Sequence, residues 1–96
     1  MKNIVMYYEQ NIDETSEITI QKMNNLLFSL EKHDFTIKGI FIDKHGESEQ
    51  LDSITNLPLH DIDMIIIGNI INIFNRNLIV QLAKVEGIKL LILEQI

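Results

Sequence analysis

The sequence is poor in several residue types, and each shortage limits what the protein can do. Its 96 residues include no cysteine, no tryptophan, one proline and four glycines. The lack of cysteine excludes a disulfide framework, a thiolate metal site and a thiol nucleophile. Basic residues are scarce too, because 8 lysines and arginines face 14 acidic residues and leave a formal net charge of −6. That balance argues against direct DNA binding and against docking on anionic lipid, since both depend on cations.

Long hydrophobic runs are also missing. The most apolar stretch, residues 64–74, is interrupted by Asn69 and Asn72, well short of the roughly 20 residues that a membrane-spanning helix needs. The opening MKNIVMYYEQ carries acidic and amide residues too early for a signal peptide. The hydrophobic fraction of 46% and the charged fraction of 23% are typical of a globular protein. We therefore predict a cytoplasmic protein with no membrane partner, folded as one domain over residues 1–96.

Apolar segments of two kinds alternate along the chain. Residues 3–8, 35–43, 64–68 and 88–93 are predicted as strands. Two stripes at helical spacing lie between them. The first consists of Ile20, Met23, Leu26, Leu27 and Leu30, and the second of Ile71, Phe74, Leu78, Ile79, Leu82 and Val85.

Capping residues set the expected ends of the helices. The first helix has cap candidates at Asp13, Thr15 and Ser16 and is predicted to end near residues 33–34. Gly87 predicts the end of the second. In the polar segment 44–62, three apolar residues predict a short helical turn that Pro58 ends. These three are Leu51, Ile54 and Leu57.

Strand polarity predicts places in the sheet. Residues 64–68 have no polar face and are expected at the centre, covered on both sides. Residues 35–43 include Thr36 and Lys38, which favour a sheet edge. Alternation along this edge strand places Ile40 and Ile42 on one face, and Phe35, Ile37 and Phe41 on the other.

The order of elements predicts an α/β fold of three layers. A mainly parallel four-stranded sheet is expected, flanked by helices and connected as β-α-β-(α)-β-α-β. In such sheets, binding and catalytic groups collect where loops leave the carboxyl ends of the strands. The loops at residues 8–15 and 68–76 are therefore the predicted site.

The same order resembles the N-terminal catalytic domain of the serine recombinases, the resolvase/invertase family. The resemblance covers almost the whole chain, and its most specific pieces are Phe41-Ile42-Asp43 followed by a Gly/Ser loop, and residues 72–77 with Arg76 in place. In that family the first strand ends in arginine, any residue, then the nucleophilic serine. Tyr8 and Gln10 stand where that arginine and serine would be.

The third-strand loop departs from the family in the same way. The family carries aspartate and arginine there, then serine and a further arginine, and this chain has Asn72, Ile73, Asn75 and Arg76 at those positions. A phosphoserine link to DNA needs an oxygen nucleophile and several cations. The resemblance therefore implies a domain that does not cut DNA and that acts through protein–protein association or self-association. Its candidate binding face, the former active site, comprises Tyr8, Gln10, Asn69, Asn72 and Arg76.

Two other interpretations remain open. The asparagines after the third strand can simply turn the chain and cap the next helix, which we favour over a binding role. Alternatively, the cleft at the strand ends binds a small ligand or anion, with Arg76 holding the charge. The histidines show no metal-ligand spacing, and the glycines form no phosphate-binding fingerprint. We expect no metal and no cofactor.

Overall fold

The computed structural model describes residues 2–69 and 72–93. The predicted order of elements is confirmed, with four strands, three α-helices and one 3-10 helix in these residues. The strands are β1 (Lys2–Glu9), β2 (Phe35–Asp43), β3 (Met64–Gly68) and β4 (Lys89–Leu93). The helices are α1 (Ser16–Leu30), α2 (Glu49–Thr55), the 3-10 helix Leu59–Asp61 and α3 (Ile73–Glu86). The fold is three-layer α/β, as predicted.

The four strands form one parallel sheet in the order β2-β1-β3-β4. The half-polar β2 lies at an edge and the apolar β3 lies inside, which confirms both predicted positions. All five residues of β3 are buried. Because all the strands are parallel, their carboxyl ends meet at one edge of the sheet.

Helices cover the sheet from both sides, and each side has its own apolar cluster. On one side α2 and α3 contribute Leu51, Ile54, Ile79 and Ala83 to a cluster with Val5, Tyr7, Ile65 and Ile67. On the other side α1 packs Met23 against Ile4, Met6, Tyr8 and Ile66. β1 therefore supplies both clusters through alternate residues, which explains why its sequence lacks a polar face.

The predicted faces of β2 are wrong in part. The register between β1 and β2 shifts between Ile4 and Val5, because Ile4 aligns with Ile37 while Val5 aligns with Gly39. This bulge skips Lys38 and reverses the alternation of side chains beyond it. Phe35 therefore packs with Ile42 on the α1 side, whereas Phe41 packs on the α2–α3 side. Phe35 and Phe41 do not share the face that strict alternation predicts.

Helix α1 differs from its prediction at its end and on its buried face. It ends at Leu30, about one turn before residues 33–34. Beyond Leu30 the backbone amides of Glu31 and His33 donate to carbonyls only three residues earlier, those of Phe28 and Leu30, and so leave the α-helical pattern. Thr15 is the N-cap, one of the three candidates. Ile20 was expected in the core, but it is exposed and Thr19 is buried in its place.

Helix α3 packs through a different stripe from the predicted one. Its buried residues are Asn75, Ile79 and Ala83, whereas Phe74, Leu78 and Val85 are exposed. Ile79 and the partly buried Leu82 are the described members of the predicted stripe that reach the core, and Ile71 lies outside the described residues. The buried stripe includes the small Ala83, which lets the helix approach the sheet closely. Gly87 ends the helix with a φ of 68°, as predicted.

None of the helices in the described residues is long and apolar enough to cross a membrane.

Candidate functional site

The carboxyl ends of three strands meet as expected, and polar side chains collect there. Glu9 at the end of β1 aligns with Asp43 at the end of β2, and Tyr8 aligns with Gly68 at the end of β3. A cleft of about 440 Å³ opens beside them between the loop that precedes α1 and the loop that follows β2. It is lined by Gln10, Asn11, Ile12, Asp13, Glu14, Ser16, Lys44, His45 and Glu47.

At the ends of β1 and β2, Tyr7 and Asp43 form a buried pair. The Tyr7 hydroxyl donates to Asp43 Oδ2 at 2.7 Å. The two carboxylate oxygens of Asp43 also accept from the backbone amides of Gln50, at 2.8 Å, and Leu51, at 3.1 Å. Burial and the hydrogen bond to Asp43 raise the pKa of Tyr7 far above its usual value. Asp43 therefore caps the first turn of α2 from the end of β2 by accepting from these two amides, while the Tyr7 hydroxyl holds its carboxylate in place.

A second network surrounds Glu14 in the loop between β1 and α1. Its carboxylate accepts from Tyr8 Oη at 2.7 Å, from Thr19 Oγ1 at 2.5 Å and from Lys22 Nζ at 3.2 Å. Gln10 joins through a bond from Nε2 to Thr19 Oγ1 at 2.8 Å. The network ties the end of β1 to the first two turns of α1.

The electrostatics of this network follow from its geometry. Burial alone would raise the pKa of Glu14, but the bonds from Thr19, Tyr8, the Asn11 backbone and Lys22 outweigh it and lower the pKa to about 2. Burial and the bond to Glu14 raise the pKa of Tyr8. The bond to Tyr8 raises the pKa of Lys22, which also lies 5.7 Å from the centre of the Tyr8 ring. At neutral pH the cluster is thus a carboxylate, a neutral phenol and an ammonium, held together as a charge-balanced group.

Glu9, like Asp43, is a buried acid at these strand ends. Its carboxylate lies 3.4 Å from the backbone nitrogen of Gly46, 3.4 Å from that of Asn72 and 3.9 Å from Nδ1 of His45. Its side chain is fully buried. A single carboxylate therefore joins the loop after β2 to the start of α3.

The asparagines after β3 have local structural roles. Asn69 adopts a φ of 56°, a conformation that asparagine tolerates, and its side-chain amide donates to the Glu9 carbonyl at 2.8 Å. Asn72 is the N-cap of α3, accepting from the amides of Phe74 at 2.9 Å and Asn75 at 3.4 Å. Both contacts are the turn and cap roles that the sequence predicts for these asparagines. A binding role for the same residues stays a prediction.

The side chains or backbone of four candidate residues make hydrogen bonds at the strand ends. Tyr8 and Gln10 belong to the Glu14 network, whereas Asn69 and Asn72 contact Glu9. Arg76 lies half-buried in the first turn of α3, where its backbone nitrogen donates to the Asn72 carbonyl at 3.0 Å. The cation that stacks on the Tyr8 ring in these contacts is Lys22.

The acids at the centre of these networks are not among the candidate site residues predicted from the sequence, although Asp43 belongs to the segment that carries the family resemblance. Glu9 and Asp43 each close an apolar strand, and Glu14 immediately precedes the cap residue Thr15. An acid at the end of a buried strand is a signal that could have marked the first two. Nothing local marks the partners of Glu14, because Tyr8 and Lys22 lie six and eight residues away.

Among the described residues, no group of three or more histidine, aspartate and glutamate side chains is placed to hold a metal ion. Comparisons of the chain with protein-family models, with curated proteins and with solved structures found no match.

Proposed function

We propose that this chain is a non-catalytic resolvase-like domain that acts through protein–protein association, with a recombinase or another protein as its partner. The observation that carries this proposal is an exposed apolar surface on α3. Phe74, Leu78 and Val85 lie on one side of that helix because they are four and seven residues apart. We call these three residues the α3 flank.

The α3 flank is unusually exposed for residues of this type. Phe74 is 80% exposed and Val85 is 77% exposed, and Leu78 between them is also exposed. Leu82 lies at the inner margin of the flank and packs against the core, so the flank is continuous with the apolar interior. A run of large apolar side chains along one helix is typical of a surface that a partner covers.

The contacts at the strand ends support a non-catalytic role. Gln10, at the position of the family's nucleophile, has an amide that cannot attack phosphorus and that is bonded to Thr19. Tyr8, at the position of an arginine, is buried and bonded to Glu14. These groups stabilise the loop before α1 in place of a cationic cage around a phosphoryl group.

Charge supports a protein partner in preference to DNA. The formal net charge of −6 opposes approach to a phosphate backbone. An apolar flank on an acidic domain suits a partner with an apolar groove and a basic rim. The cytoplasmic location predicted from the sequence belongs to the same proposal.

The double substitution Phe74→Ser/Leu78→Ser tests the flank. A tagged wild-type chain should retain a stoichiometric protein from lysate of its native host, identified by mass spectrometry and then tested as a purified pair. We expect the double variant to weaken that purified interaction by at least about 100-fold, since hot-spot side chains typically contribute more than about 2 kcal/mol each.

Phe28→Ser is the matched control, because Phe28 is a phenylalanine on α1 that is 72% exposed, close to the 80% of Phe74. It should bind like the wild type. Equal binding by all three proteins would remove the α3 flank from the interaction, and loss with Phe28→Ser alone would move the interface to α1.

The variant Gln10→Ser tests the non-catalytic assignment. Restoring the hydroxyl should give no covalent protein–DNA adduct, because the cations that stabilise the transferring phosphoryl group are still missing. Supercoiled DNA incubated with the variant and resolved on a denaturing gel provides the measurement. A protein-linked DNA band absent from the wild-type lane would contradict the assignment.

The cleft at the strand ends favours one alternative function, the binding of a small anion. Lys44 and His45 line it beside Gln10 and Asn11, all of which can donate hydrogen bonds. Asp13, Glu14 and Glu47 on the same walls oppose an anion, and for that reason we rank this function second. A thermal stabilisation by inorganic phosphate that Lys44→Ala abolishes would reverse the ranking.

A further inference from the structure

The outer edge of β4 is an open sheet edge with apolar residues. In the described residues β4 pairs with β3 on one side, and no strand pairs with its other side. Its sequence, KLLIL, has one charge at its first residue and apolar side chains at the other four positions. Unpaired backbone groups beside apolar side chains are the features through which sheet edges join one another.

The hydrogen bonds to β3 identify which backbone groups face outward. The Lys89 amide donates to the Asp63 carbonyl at 3.2 Å, and the Leu93 carbonyl accepts from Asn69 at 3.3 Å. In a parallel strand, both backbone groups of a residue point to the same neighbour and the direction alternates along the strand. Lys89, Leu91 and Leu93 therefore face β3, while Leu90 and Ile92 present their N–H and C=O groups outward.

From this geometry we infer that two copies of the chain pair through the outer edges of β4 and form one continuous eight-stranded sheet. The surface is separate from the α3 flank, and the inference does not rest on the proposed function. An antiparallel arrangement with its two-fold axis at Leu91 sets Leu90 opposite Ile92 of the second copy. Both are the outward-facing residues, so each such pair exchanges two hydrogen bonds.

The side chains fit the same register. Leu91, at the axis, is 40% exposed and lies opposite Leu91 of the second copy, at the close spacing of a non-hydrogen-bonded pair. Lys89 lies opposite Leu93 of the second copy, so the two positive charges are kept apart. Leu91 and Leu93 also line an apolar groove of about 440 Å³ beside α1, with Leu26, Leu30 and Ile66. Pairing joins the floors of the two grooves across the axis.

The other sheet edge explains why the pairing closes as a dimer. β2 carries a bulge at Lys38 and polar residues, which protect an edge from strand addition. β4 therefore finds a matching edge in another β4 and not in β2. A two-fold interface between identical strands closes after two copies and does not extend into a filament.

The test is the molar mass of the full chain in solution, by analytical ultracentrifugation at about 100 µM, where a dimer with a dissociation constant of about 1 µM is almost fully assembled. The wild type should have twice the 11.2 kDa of one chain. Ile92→Pro removes an outward N–H without removing a bond to β3, and should raise the dimer dissociation constant by about 30-fold. Leu91→Lys should raise it by about 100-fold, because two ammonium groups meet at the axis. Phe28→Ser and Phe74→Ser should remain dimeric.

Hydrogen exchange provides a second readout that does not depend on the variants folding. In the wild-type dimer the amides of Leu90 and Ile92 should be protected, and dilution to monomer should release these two while Leu91 stays protected by β3. A wild-type monomer at about 100 µM, or a dimer whose Leu90 and Ile92 amides exchange freely, would overturn the inference. A dimer lost in Phe74→Ser but kept in Leu91→Lys would also overturn it and place self-association on the α3 flank.

Discussion

Replacing Glu14 by glutamine should lower the free energy of unfolding at pH 7 by about 3 kcal/mol, which would be the clearest electrostatic effect in the protein. The pKa of Glu14 falls from 4.5 to about 2 in the folded chain. Its side chain is only 3% exposed, so solvent screens these interactions little. Urea denaturation followed by circular dichroism measures the difference.

The pH dependence of that difference has a definite sign. A carboxyl group whose folded pKa is lowered stabilises the protein above its unfolded pKa, and this stabilisation is lost as pH falls through the folded value. The difference between wild type and Glu14→Gln should be constant above about pH 5 and close to zero near pH 2. Glu31→Gln, at an exposed position after α1, should change stability by less than about 0.5 kcal/mol. A Glu14→Gln effect that persists at pH 2 would show that glutamine disturbs packing and not charge.

Replacing Asp43 by alanine should lower the free energy of unfolding by about 3–4 kcal/mol, a large part of the stability of a domain this size. The substitution leaves the buried Tyr7 hydroxyl and the amides of Gln50 and Leu51 without their acceptor. The first turn of α2 should fray as a result, because those amides are not bonded within the helix. Urea denaturation gives the energy, and amide exchange at Leu51 locates the effect.

Variants of the partners separate the contributions to this pair. Tyr7→Phe removes one donor and leaves Asp43 with two, so we expect a cost of only about 1 kcal/mol. Asp61→Ala, an exposed acid in the 3-10 helix, should be close to neutral. If Asp43→Ala cost no more than Tyr7→Phe, the capping of α2 by Asp43 would not contribute to stability.

Local patterns in the sequence determined the order of elements and the places of two strands. The apolar residues repeat at a period of two in strands and near 3.6 in helices, and these periods do not depend on the rest of the fold. The absence of polar residues in Met64–Gly68 placed β3 inside the sheet, and Thr36 and Lys38 placed β2 at its edge. Thr15 and Gly87 could be proposed as helix ends because a cap depends on its own backbone angles and near neighbours.

Packing between distant segments decided which face of α3 is buried, where β2 bulges and which acids are buried. α3 carries apolar residues on adjacent sides, so periodicity alone could not decide whether Phe74 or Asn75 is buried. The contact of Ile79 and Ala83 with the sheet decided it, because Asn75 lies on the same side of the helix as these two residues. The bulge at Lys38 arises from the register between β1 and β2, which neither strand's sequence contains. Likewise, Glu9 and Asp43 became buried acids because the parallel strands end at one edge, where backbone amides from separate segments converge on them. A carboxylate is stable inside a protein only when such donors surround it, and that condition depends on tertiary structure.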